Sequence, residues 1–158
     1  LPQVTIEYMI MVPVMIMQIF LFPIAASVIM NTWVDSRMTI ELQETAGHLG
    51  SSIQQLYYTM NHASIASGSL TVELDTPPLI EGHYYNITLQ NATNANTSIK
   101  IMNVTLSLAG TNDKTSTLVT LGENADWQNN VIFLSNSTTS IIATKSSGSI
   151  CLYFGGDT

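Results

Sequence analysis

From Tyr8 to Met30 the chain runs YMIMVPVMIMQIFLFPIAASVIM, 23 residues without a single charged side chain. As a helix rising ~1.5 Å per residue it covers roughly 35 Å, enough to cross the hydrocarbon core of a bilayer. It is apolar on every face, so it has no side to offer water and requires lipid or other protein around it. The rest of the chain is too small and too rich in Ser, Thr and Asn to wrap it as the central helix of a globular protein. Pro13 and Pro23 each remove a backbone donor and crowd the carbonyl four residues earlier, at Met9 and Ile19, which predicts a kink or a stretched turn at both. Neighbouring helices in an apolar bundle shield such carbonyls. Met9, Met11, Met15, Met17 and Met30 read as adaptable packing between helices rather than as metal ligands. On this reading Met9, Pro13, Met17, Phe20 and Pro23 pack the core of a helix bundle.

Lys and Arg on the cytoplasmic flank normally orient a membrane anchor. Here seven residues precede the run, and their one charge is the acid Glu7. The expectation is that a basic leader preceded Leu1 and was removed while the apolar run stayed, whereas an ordinary secretory signal peptide loses its apolar region on cleavage. An ionised carboxylate at the edge of an apolar helix is costly unless paired or protonated. With no Lys or Arg nearby, the natural partner for Glu7 is the α-amino group of a neighbouring subunit's Leu1. The positive end of the helix dipole adds ~0.3–1 kcal/mol in the same sense.

Gln3-Val4-Thr5-Ile6-Glu7-Tyr8, followed directly by the apolar run, resembles the Q-x-S/T-x-E pattern at the processing site of archaeal type IV pilin-like precursors. The family acid usually stands fifth in the mature chain; here it is seventh, behind Leu1-Pro2. The resemblance implies an adhesion-type structural subunit, inserted in the membrane as a precursor. A prepilin-type signal peptidase would cut it, and pilus assembly machinery would build it into a helical homopolymer on the cell surface.

Beyond Met30 the pattern changes. Leu42, Ala46, Leu49, Ile53, Leu56 and Met60 recur at spacings of 4, 3, 4, 3 and 4, which places them on one face of a continuing helix, with Asp35, Glu41, Glu44, Gln54 and Gln55 opposite. The helix is expected to span 1–68, apolar over 4–30 and amphipathic over 31–66. Gly47 and Gly50 weaken it by roughly 1 kcal/mol each relative to alanine but permit close backbone approach. Gly68 and Pro77-Pro78 exclude further helix. From 69 to 158, seven runs rich in β-branched and aromatic residues alternate with turn residues: Leu70–Leu74, Tyr84–Leu89, Ile99–Leu108, Thr117–Leu121, Val131–Leu134, Ser140–Thr144 and Ser149–Phe154. The predicted class is therefore α+β, a long N-terminal helix followed by a small antiparallel all-β head of sandwich or barrel-like form.

The formal net charge is −7, with Arg37, Lys100, Lys114 and Lys145 the only fixed cations. That excludes the clustered basic surface on which nucleic-acid binding rests. Cys151 is the single cysteine, so no intrachain disulfide forms, and it reads as a small strand residue. His48, His62 and His83 stand in no metal-ligand spacing, and no glycine-flanked nucleophile pattern points to catalysis, so neither cofactor nor enzyme activity is expected. Five N-glycosylation sequons begin at Asn86, Asn91, Asn96, Asn103 and Asn136, all in the head. Asn91 and Asn96, in the polar turn region 90–97, are the most favourable acceptors because glycosylation needs exposed backbone. Two other readings use the same features: a motility-filament (archaellum) subunit, and a single-pass membrane-anchored surface glycoprotein. Glu7 distinguishes the second, since a plain anchor has no use for an acid there.

Overall fold

The computed structural model describes residues 2–92, 99–128, 131–135 and 139–156. One helix, α1 (Pro2–Met60), precedes eight strands: β1 (Gly68–Glu73), β2 (Tyr85–Asn91), β3 (Lys100–Leu108), β4 (Lys114–Leu121), β5 (Ala125–Trp127), β6 (Val131–Leu134), β7 (Thr139–Ser146) and β8 (Ser149–Gly156). The class is α+β, as the two hydrophobic periods predict. The chain divides into two compact units, Leu1–Arg37 and Met38–Thr158. Sequence places the boundary at residue 68, where helix gives way to strand. Packing places it inside the helix, because the stripe Leu42, Ala46, Leu49, Ile53, Leu56 and Met60 is buried in the same core as the strands.

The helix ends at Met60 rather than at 66. Asn61 still donates its N–H to the Tyr57 carbonyl at 2.8 Å, after which His62 donates to Thr59 O at 3.4 Å and the chain turns. The end is fixed from β7, where the buried Lys145 donates its Nζ to the His62 carbonyl at 3.1 Å. No basic residue occupies the last helical turn, so this distant amine supplies the cation that the negative end of the helix dipole favours. Pro13 and Pro23 lie within continuous helix.

In the head, one sheet has the order β1-β7-β8-β5 and the other β4-β3-β2-β6. Alternation along β3 buries Met102, Val104, Leu106 and Leu108 and turns Asn103, Thr105 and Ser107 outward, the period-two signature of a strand with one covered face. A single apolar cluster joins α1 residues 42–60 to the inner faces of both sheets. Gly50 brings the helix close to β4: a Cβ there would stand 3.1 Å from Thr117 Cγ2 and 3.2 Å from Val119 Cγ2, whereas one at Gly47 would meet nothing within 4 Å. Of these two helical glycines, Gly50 is the one that serves close approach.

The strand that sequence misses is β5. It is three residues long, too short to show alternation, and it pairs with β8 in parallel, so the head is not wholly antiparallel. Asn124 places it. Its Nδ2 donates to Asn61 Oδ1 and to Gly148 O, each at 2.9 Å, Tyr57 donates its hydroxyl to Asn124 Oδ1 at 2.6 Å, and Ile150 donates its N–H to Asn124 O at 2.8 Å. One side chain thus ties the helix end to the β7–β8 turn, whose Ser147 and Gly148 have φ of 52° and 87°, as a two-residue hairpin requires. A Cβ at Gly122 would overlap the Tyr57 hydroxyl. A second knot fastens the proline pair: Tyr85 donates its hydroxyl to Pro77 O at 2.6 Å, and Ser135 donates its own to Pro78 O at 2.7 Å while accepting from Tyr85 N at 3.1 Å.

These contacts separate an uncrowded helical glycine, Gly47, from the crowded Gly122 that follows β4. In a fragment covering 31–158, Gly47→Ala should raise stability by ~1 kcal/mol, since it removes backbone freedom at no steric cost. Gly122→Ala should lower it by about 1–3 kcal/mol through overpacking and loss of the Tyr57 bond. Thermal melts followed by circular dichroism report both signs.

The buried tyrosines set an alkaline limit. Burial pushes the Tyr57 and Tyr85 phenols above their ordinary value of 10.0, partly offset by hydrogen bonds from Gly122 and Thr76 respectively. The fold therefore holds these protons more tightly than the unfolded chain. Their contribution is whole below about pH 10 and is lost as pH rises through the raised folded values. Urea midpoints should fall above pH 10, and fall less steeply in Tyr57→Phe and Tyr85→Phe.

Candidate assembly surface

Residues 6–33 of α1 are exposed without interruption. The large apolar side chains from Ile6 to Met30 are 49–77% exposed, on the order of 2,000 Å² of apolar surface. A soluble monomer leaves about 300–600 Å² in its largest patch. The side chains expected to pack a bundle core stand open in the single chain: Met9 is 75% exposed, Met17 64% and Phe20 67%. Pro13 and Pro23 are exposed beside them. This is a helix long and apolar enough to cross a membrane.

Glu7 is exposed at the start of this surface. Leu1, its expected partner from a neighbour, lies outside the described residues. At the other end the character changes at Trp33, whose ring carries the Arg37 guanidinium 5.3 Å from its centroid. That contact lets an indole and a cation share the edge of the apolar surface. Thr32, which also falls there, hides its hydroxyl by donating to Val28 O at 2.9 Å.

On the head, the outward faces of β2 and β3 carry two of the sequons. Asn86 and Thr88 share one face of β2, and Asn103 and Thr105 share the same face of β3, because acceptor and hydroxyl are two residues apart and strand side chains alternate. Both asparagines are half-buried. Asn103 stands in a strand paired on both sides, opposite Gln90 and Leu118, and its Oδ1 is buried without a hydrogen-bond partner. Asn91 is exposed, but it is the last residue of β2, paired with Met102, rather than part of a turn. Asn96 and Asn136 lie outside the described residues.

Cys151 is half-buried on β8 opposite Thr144 and Asp126. His48 and His62 are exposed and His83 is half-buried. Among the described residues no cluster of His, Cys, Asp and Glu is placed to hold a metal ion. Sequence reasoning missed Lys145, Asn124 and Ser135, whose partners are 83, 63 and 57 residues away. No local pattern marks such contacts. Compared with known protein families, curated proteins and solved structures, the chain matches none.

Strand position ranks the sequon asparagines as candidate acceptors. Peptide mass spectrometry should show more glycan on Asn91, exposed at a strand end, than on Asn86 or Asn103, half-buried on the two inner strands. Equal occupancy at all three would mean that modification precedes folding and ignores it.

Proposed function

We propose that the chain is a structural subunit of an extracellular, archaeal type IV pilus-like filament serving surface adhesion, a homopolymer built through its N-terminal helix. The observation that carries this reading is the pairing of a wholly exposed apolar helix, residues 6–33, with a head that buries its own core. Burying such a surface against copies of itself stabilises assembly at ~25 cal/mol per Å² of apolar area. A contact between different faces of successive copies propagates as an open helix instead of closing. The polar outer sheet faces then form the filament wall, with glycan on the accessible asparagines.

The Q-x-S/T-x-E-like segment ending at Glu7 supports the pilin-like route: membrane-held precursor, cleavage by a prepilin-type peptidase, extraction and polymerisation. The proposal assigns the chain no catalysis. A motility filament would use the same construction, and adhesion ranks above it on family resemblance. A single-pass surface glycoprotein shares the apolar helix and the sequons but leaves Glu7 without a role.

Electron microscopy of material sheared from producing cells separates these readings, since filaments and detergent-dependent monomers look nothing alike. Glu7→Gln should leave the head folded and the precursor processed while reducing recovered filament at least tenfold. Undiminished filament from Glu7→Gln would remove the assembly role of that carboxylate. A fragment beginning at Asn31 should be a soluble monomer.

A further inference from the structure

Within the apolar run the single side-chain amide is Gln18. It is exposed, and its side chain has no hydrogen-bond partner among the described residues. Ser27 differs, because a helical hydroxyl can turn back onto the carbonyl four residues earlier; a glutamine amide projects away from the axis. Gln18 lines one groove with Met15, Ile19, Phe22 and Pro23. Pro23 has no N–H to give, so the carbonyl of Ile19 in that same groove loses its normal helical donor. An unpaired donor and an unpaired acceptor are thus one residue apart on a surface that is otherwise apolar.

We infer that Gln18 of one copy donates its Nε2–H to the Ile19 carbonyl of an adjacent copy, and so sets the register between apolar helices. The inference rests on the filament reading above and deepens it. Its occupant is a second copy of this chain rather than lipid, for two reasons. Hydrocarbon can pair neither group, and each unpaired polar group in it is costly. The exposed apolar area, on the order of 2,000 Å², also exceeds the roughly 800 Å² per partner of a standard stable interface. Each subunit brings one amide and, in the same groove, the carbonyl of Ile19, so a repeating head-to-tail contact satisfies both in every copy. A lone polar group in an apolar helix seam specifies register in this way, because any axial slip leaves it unpaired.

The test uses the full chain in producing cells, measuring the ratio of membrane-held subunit to sheared filament. Gln18→Leu keeps length and helix propensity but removes the amide, and should raise that ratio about three- to thirty-fold. Pro23→Ala restores the missing N–H to Ile19 and should raise it similarly. The double variant should then be no worse than either single one, since both remove the same bond. Losses that add in the double variant, or a Gln18→Leu ratio within about twofold of wild type, would overturn the contact while leaving the filament intact. Recovery of only detergent-dependent monomers from the unaltered chain would overturn the contact and the filament reading together.

Discussion

An apolar helix that its own chain does not cover is the constraint on which the rest of this protein depends. Residues 6–33 expose their side chains on all sides, and water cannot be their permanent neighbour at ~25 cal/mol per Å². Whatever covers them, none of them joins the core of the head, which must close without that segment. It does so by recruiting the second half of the same helix. Leu42, Leu49 and Ile53 are 0–1% exposed in a core shared with both sheets, so one continuous element has an uncovered apolar part and a part anchored in a domain.

That arrangement explains where the head places its polar contacts. A helix entering a β-rich core ends with unpaired carbonyls; just past that end the Lys145 amine of β7 takes the His62 carbonyl, and the Asn124 amide holds the Asn61 side chain. Tyr57 joins the second of these through its hydroxyl. The helix end is therefore fastened on its polar side as well as packed on its apolar side. The proline pair is held in the same manner, with both free carbonyls taken by hydroxyls of Tyr85 and Ser135.

The outward surfaces follow a different logic. Thr88, Thr105 and Ser116 stand in one cross-strand row on the sheet β4-β3-β2-β6, a polar row that ends at the exposed Ile132 on β6. Its edge strands still offer backbone groups to other chains.

Sequence alone determined the uncovered helix, the buried stripe of its second half and seven of the eight strands, because each is written in a local period: an uninterrupted apolar run, spacings of three and four, and alternation by two. Tertiary structure decided the rest. It moved the domain boundary to residue 37, since packing and not secondary-structure type defines a unit. It stopped the helix at Met60 through an amine from β7, and it added β5 through Asn124 and a parallel pairing with β8. It also separated Gly47 from Gly50, which propensity treats alike but which differ in whether β4 lies within 4 Å. In each case the deciding partner is tens of residues away, and a local period carries no information about which distant side chain will arrive.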